Sequence, residues 1–383
     1  MKLLQEIETN MAVQNSSDVV SKDLAYIYSH LQEEFACLSG KRLLITGGAG
    51  FLGYYLVQAV LYWNKRANEA HSIQLTVYDN YIRGVPAWLM ELAGNKSLIL
   101  VKHDITEPLP QDIGDFQYIV HAASIASPTY YRLYPIKTMD ANVNGLRFLL
   151  EYSREQKEKG KPVEDFLFFS SSEIYGDPSP ENIPTPESYH GHVSCTGPRA
   201  CYDESKRYGE TLCVNFARQY DLPIKIARPF NNYGPGLKIT DRRVLPDFAR
   251  DVLMGRDIVM LSDGSPTRTF CYVADAIVGY YKILVKGRSG EAYNVGVESP
   301  EISMAELAER IVTLARDLFG YKGKVVRQAS PDQDYLTDNP NRRCPMIAKA
   351  KADLGYNPTI SLDEGLKRSL IWYNDNRSVE VAR

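Results

Sequence analysis

The sequence predicts an α/β protein, a doubly wound parallel sheet with a smaller C-terminal lobe, and three observations carry that reading. Short apolar runs alternate with longer segments of helical periodicity through roughly the first 235 residues. A glycine-rich turn joins the first such run to the first helix that follows it. Beyond residue 235 the rhythm breaks into loops bearing Pro, Gly and Arg, interspersed with helices. Three parts are therefore expected: a partly helical extension over 1–39, a sheet domain over 40–235, and a lobe over 236–383. The second boundary is soft, because strands of such a sheet can return after the lobe begins.

The elements follow in order. Residues 23–31 carry apolar side chains at helical spacing, which predicts a short amphipathic helix docked on the body or on a partner subunit. Arg42-Leu43-Leu44-Ile45-Thr46 is short, apolar and stopped by glycines, the pattern of a buried parallel strand. Further strands are predicted at 73–78, 118–120, 166–169 and 224–227. Helices are predicted between them at 51–63, 139–157 and 200–220, with a closing helix near 362–373.

Composition narrows the function. A net charge of −3 gives no electrostatic case for nucleic acid or an anionic membrane surface. No run approaches the ~20 apolar residues that span a bilayer. Residues 1–15 are polar and acidic without an apolar signal core, so a cytoplasmic protein is expected. The six cysteines (Cys37, Cys195, Cys201, Cys213, Cys271 and Cys344) form no CxxC pair, and no histidine cluster has zinc spacing. Reduced thiols and no metal are expected.

The turn Thr46-Gly47-Gly48-Ala49-Gly50-Phe51-Leu52-Gly53 sits between a strand and a helix, the context a Rossmann-type dinucleotide loop requires. Gly47, Gly50 and Gly53 permit the tight turn, the approach of backbone to a pyrophosphate, and close helix–strand packing. The helix that Phe51 and Leu52 open offers its N-terminal amides to the phosphates. Asp79 closes the second strand, where an acid meets the adenosine ribose hydroxyls. A carboxylate there repels a 2′-phosphate, which favours NAD over NADP. Asp104 and Ile105 end a later strand, with Asp104 set to meet the adenine amino group. Ala122, small and at a strand end, suits close approach of the cofactor. The bland alternative for Asp79 is a turn residue at a strand end.

Tyr202 and Lys206 stand four residues apart in Gly197-Pro198-Arg199-Ala200-Cys201-Tyr202-Asp203-Glu204-Ser205-Lys206. On a helix that spacing puts phenol and ammonium on one face, where the fixed charge can draw the tyrosine pKa down from about 10. A tyrosine so tuned can take the proton of a sugar hydroxyl while a nicotinamide accepts the hydride. Alone the spacing fits any solvated helix face. Its weight comes from the glycine loop upstream and from Ser170-Ser171-Ser172-Glu173 between the two.

Together these residues resemble the extended short-chain dehydrogenase/reductase superfamily, its nucleotide-sugar branch, and within that the UDP-glucuronate decarboxylases, or UDP-xylose synthases. The likeness runs through His103 to Leu109, Ala126-Ser127-Pro128, Ser172 to Pro178, Gly197 to Glu210, Asp263 to Val273, and Arg343-Cys344-Pro345 to Tyr356. It covers residues 40–375 or so and leaves out the first ~39. The resemblance implies that Tyr202 and Lys206 also contact the cofactor. It implies that Ser171 hydrogen-bonds the sugar 4-hydroxyl, and that Glu173 serves sugar positioning and proton transfer near C5 and C6. Ser172 stands where sugar 4,6-dehydratases place an aspartate. Asn231 and Arg268 are implied as diphosphate ligands, Arg243 as a second phosphate ligand, and Ser127 as a substrate contact. Arg343, or its neighbour Arg342, is implied near the sugar carboxylate or the departing carbon dioxide.

The implied reaction oxidises C4, releases carbon dioxide from the β-keto acid, and reduces C4 again on retained NAD. A homodimer built from two helices per subunit is also implied, with the 200–220 helix as a candidate for its interface. Three departures bear on the substrate: Ser124-Ile125 for the frequent Cys-Pro, Ser171 for threonine, and Gly236 for the arginine usual after Pro235. The rival readings are an NAD-retaining epimerase, a dehydratase, a 4-keto pentose or apiose-type synthase, and a non-catalytic NAD-sensing protein.

Overall fold

The computed structural model describes residues 13–330 and 337–381. The first twelve residues of the polar N-terminal stretch lie outside them. Seven parallel strands form the central sheet: β1 (Arg42–Thr46), β2 (Gln74–Asp79), β3 (Leu98–Lys102), β4 (Tyr118–His121), β5 (Asp165–Phe169), β6 (Ile224–Pro229) and β7 (Ala292–Val295). Their spatial order is β7-β6-β5-β4-β1-β2-β3, which reverses direction beside β1. Such a switch point opens a crevice at the carboxyl ends of the strands.

Alternate strand residues feed two cores. Leu43, Ile45, Val77, Val120, Leu167 and Phe169 pack on one face, and Leu44, Ile119, Phe166, Phe168 and Ile226 on the other. Burial on both faces explains why these strands read as continuous apolar runs. β7 pairs with β6, so the sheet is completed by a strand that follows the start of the lobe. The helix expected at 139–157 is a composite of Pro135–Asp140, a π-helical turn at Ala141–Gly145, and Leu146–Glu158. At that turn a Cβ on Gly145 would lie 2.9 Å from Ile105, which fixes how close the helix comes to the β3 loop.

The N-terminal segment folds onto its own chain. Helix α1 (Ser16–His30) is capped by Asn15, whose side chain accepts from the Asp18 amide at 3.0 Å. It packs against α2 (Phe51–Asn64), α3 (Val273–Lys286) and α4 (Leu362–Val381). Asp23 on α1 is fully buried and accepts from Tyr55 at 2.5 Å, Tyr272 at 2.6 Å and Arg368 at 2.7 Å. In the lobe, a three-stranded sheet places Thr267–Arg268 between Ile302–Ser303 and Arg342–Arg343, with Arg343 in register beside Arg268.

Candidate active site

A cleft of about 1120 Å³ opens at the carboxyl ends of the strands, between the sheet and the lobe. That is at the top of the roughly 300–1,000 Å³ usual for a small-molecule site. Its wall brings together Gly47, Gly50, Phe51, Leu52, Gly53, Asp79, Asp104, Ile105, Ala122, Ser127, Ser171, Ser172, Glu173, Tyr202, Lys206, Asn231, Arg243, Arg268 and Arg343. Every site residue expected from the sequence therefore faces one space.

At one end the glycine loop turns from β1 into α2. Gly47 has φ +74°, and a Cβ there would lie 2.6 Å from the Ala123 Cα. A Cβ on Gly53 would lie 2.2 Å from the Gly48 carbonyl oxygen. Both positions exclude any side chain, which leaves bare backbone and the α2 amides facing the cleft. Asp79 accepts from the Ala49 amide at 3.0 Å and the Tyr81 amide at 2.8 Å, which ties the acid to the loop. Burial raises its pKa against those two hydrogen bonds. Asp104 accepts from Thr106 and from Asn80, so it also shapes the turn after β3. A glycine cradle, a helix N-terminus and an acid at the end of β2 fit a dinucleotide. Gly47→Ala combines a left-handed backbone cost of roughly 1–2 kcal/mol with a backbone clash. We expect NADH affinity to fall at least about tenfold by fluorescence titration.

The other end is built on α5 (Ala200–Tyr220) and the turn after β5. Tyr202 and Lys206 are both buried, with the Lys206 Nζ 5.7 Å from the Tyr202 ring centroid and donating to the Phe169 carbonyl at 2.7 Å. The expected lowering of the tyrosine pKa by its lysine does not hold in this structure. Burial pushes Tyr202 up to about 12, against a hydrogen bond with Ser171 and the charge of Arg243. Burial also brings Lys206 down to about 7. The lysine is placed by a backbone carbonyl.

Ser171 caps the short turn Ser172–Tyr175, accepting from the Glu173 amide at 3.2 Å, which directs the Glu173 side chain into the cleft. There Glu173 is held by two arginines. Arg343 donates through both terminal nitrogens, one at 2.8 Å, and Arg199 donates from the other side. Burial alone would raise the Glu173 pKa, but the two guanidiniums outweigh it and hold it at about 2. Arg199 escaped the sequence reading, although it stands three residues before Tyr202 in the quoted run. Tyr131 did too: its ring stacks on Tyr202 at 5.0 Å and 12°. The available signal was a Tyr130-Tyr131 pair close after Ser127-Pro128.

The remaining arginines differ from expectation in detail. Both terminal nitrogens of Arg268 are taken by the carbonyls of Thr267, Pro340 and Asn341 and by Asn339, so here the side chain shapes the 339–341 segment. Arg243 lies 2.6 Å from the Asp241 carboxylate. Asn231, at φ +43°, donates to the Thr269 carbonyl, and the Ser127 hydroxyl donates to the Asp241 carbonyl at 2.7 Å. Arg342 pairs with Glu301 and is not among the residues lining the cleft, which leaves Arg343 as the arginine facing it.

The Glu173 ion pairs carry a pH signature. Its folded pKa lies below the ordinary 4.5, so its contribution to stability is present above that value and lost as pH falls through 4.5 toward 2. Glu173→Gln should lower stability at pH 7 and converge on the parent protein as the medium is acidified. Urea unfolding at a series of pH values measures this.

A glycine cradle at the switch point of a parallel sheet defines a nucleotide-binding α/β fold, and the chain belongs to the NAD-dependent epimerase/dehydratase family, whose model matches residues 43–296. Its relatives are more particular. UDP-glucuronic acid decarboxylase 5 of Arabidopsis thaliana is 38% identical over 338 residues, 88% of this chain and 91% of the relative. UDP-glucuronic acid decarboxylase 1 of Xenopus tropicalis is 35% identical over 87% of this chain and 72% of the relative. Among solved structures, a dTDP-glucose 4,6-dehydratase of Streptomyces venezuelae with NAD bound superposes with a TM-score of 0.75 at 26% identity, covering 88% of this chain and 98% of that one. An epimerase of Methanothermobacter thermautotrophicus gives a TM-score of 0.76 at 26% identity, covering 93% and 98%.

Proposed function

We propose that this protein is an NAD-dependent decarboxylase that converts UDP-glucuronate to UDP-xylose. The single observation that carries this reading is the Glu173 cluster. Arg199, Arg268 and Arg343 converge on Glu173, and burial with the Glu173 charge raises Asp203 to about 8. Guanidiniums gathered beside Tyr202 suit a site for a sugar acid. Kinship with the UDP-glucuronic acid decarboxylases supports the same substrate. Ser172 lacks the acid a dehydratase would use there.

Bound NAD supplies the oxidant for C4 and, retained, the reductant that restores it. Tyr202, steadied by stacking on Tyr131, takes and later returns the proton of the C4 hydroxyl, with Ser171 holding the same oxygen. Arg343 and Arg199 orient the C6 carboxylate so that its bond to C5 can align with the C4 carbonyl. Carbon dioxide then leaves with its electron pair passing into an enolate, which gains a proton at C5. Glu173, charged down to about pH 2, acts in this scheme as a fixed acceptor for the sugar. Arg243 and Asn231 meet the diphosphate, and Arg268 supports that end through the 339–341 segment.

We further read the protein as a cytoplasmic homodimer. Leu133, Ile136, Met139 and Tyr208 expose apolar surface on α5 and on the helices packed against it. Light scattering at micromolar concentration tests the dimer, and Ile136→Asp should shift it toward monomer. The net charge of −3 favours no nucleic-acid or membrane partner.

The activity is tested by mass spectrometry of purified protein with UDP-glucuronate, with and without added NAD. Loss of 44 mass units, with C4 restored, is the expected product. Loss of 44 plus two hydrogens would point to release of the 4-keto pentose, and an unchanged substrate would remove this assignment.

A further inference from the structure

The loop after β2 is joined to the lobe by an ion pair that the chemistry above does not use. Arg83 donates to the Asp241 carboxylate at 2.8 Å, and its guanidinium lies 4.7 Å from the Tyr130 ring centroid. The Arg83 carbonyl accepts from Lys238 at 2.6 Å. Asp241 is almost wholly buried, and its other oxygen lies 2.6 Å from Arg243. Its backbone carbonyl accepts from Ser127. One buried carboxylate thus gathers Arg83 from the turn that follows Asp79 and Arg243 from the start of the Val244–Leu253 helix. All of these residues line the cleft.

We propose that the Arg83–Asp241 pair is a latch across the cofactor cleft that holds the dinucleotide in place between oxidation and re-reduction of C4. The proposal rests on the reading of Asp79 as the ribose ligand and of NAD as a retained cofactor. Three observations favour a latch over a surface ion pair. The acceptor is buried while the donor is one-third exposed, so the bond can break toward solvent without exposing the carboxylate. The donor follows Asp79 by four positions, with Gly84 at φ +79° as a pivot. The acceptor also holds Arg243, so a diphosphate that engages Arg243 acts on the same carboxylate as the latch. Gly236 accompanies this arrangement: a Cβ there would lie 2.5 Å from the Tyr54 Cβ. The arginine usual after Pro235 has no room at that position, and Arg83 brings a cation to the loop from the opposite wall.

The test follows NADH leaving the full-length protein, by its fluorescence, after mixing with excess ADP-ribose in a stopped-flow instrument. Arg83→Ala, Asp241→Asn and the double variant are compared with the parent, each checked for an unchanged melting curve. Arg83→Gln serves in place of Arg83→Ala should the latter melt early. The expected result is an NADH off-rate raised about tenfold in each single variant, an on-rate within about threefold, and a double variant no faster than the singles. Off-rates within twofold of the parent, or effects that multiply in the double variant, overturn the latch. The readout needs no nucleotide sugar. A protein inert toward UDP-glucuronate would sink the decarboxylase reading while the off-rates still decided the latch. On UDP-glucuronate, Arg83→Ala should release more 4-keto pentose per turnover than the parent.

Discussion

Tyr202→Phe is expected to lower turnover of UDP-glucuronate by about 10²–10⁴-fold while leaving KM within a fewfold of the parent. The phenol oxygen is the only part of the side chain the reaction uses. The ring is buried and stacked on Tyr131, and phenylalanine preserves both contacts. Folding should survive, and a melting curve beside the kinetics would establish that. The loss should lie in the first chemical step, so a single-turnover experiment should show no transient NADH. A variant retaining more than about a tenth of parental turnover would fall short of the contribution of a positioned acid–base group and would remove Tyr202 from that role. Lys206→Met offers a contrast. The ammonium sits between the ring and the Phe169 carbonyl and lines the cleft, so both cofactor affinity and turnover should suffer.

Arg368→Ala is expected to be the most destabilising single change considered, by about 3–5 kcal/mol, because it strands a buried charge. Asp23 has no water to turn to, and its remaining partners are two tyrosine hydroxyls. Asp23→Ala should cost a similar amount by leaving Arg368, Tyr55 and Tyr272 without their shared acceptor. An apolar replacement of both, Asp23→Leu with Arg368→Met, should recover much of the loss, since buried pairs are costly to desolvate. Urea unfolding of the three variants decides this. If the single variants unfold like the parent, the N-terminal helix does not contribute to global stability. Residual activity of the folded fraction should stay near normal, because none of these residues lines the cleft.

Much of this molecule was legible in the sequence where the signal is local. The strands β1, β2, β4, β5 and β6 are each a run of apolar residues buried on both faces, and the glycine loop carries its own steric logic. β7 was not placed, because Ala292–Val295 is four residues long and gains its meaning only from pairing with β6. The site residues were legible one at a time, but their partnerships were not. Nothing near Glu173 in the chain announces that Arg343, 170 positions away, will grip it. Arg199 was on view beside Tyr202, but a lone arginine has no periodicity to betray a role. The tyrosine's pKa was misjudged for a related reason. Helical spacing reports that two side chains share a face, whereas the cost of burying each depends on every element packed around them.

The buried joint between α1 and α4 also sets an order of events during synthesis. Asp23 and Arg368 are 345 positions apart. A ribosome adding about 5–20 residues per second takes roughly 20–70 s to make that stretch. Throughout that interval the first helix holds a carboxylate whose cation does not yet exist. The apolar stripe of α1 must wait, or be shielded by another protein, until the closing helix emerges. A chain truncated before Leu362 should therefore leave its N-terminal helix open to protease.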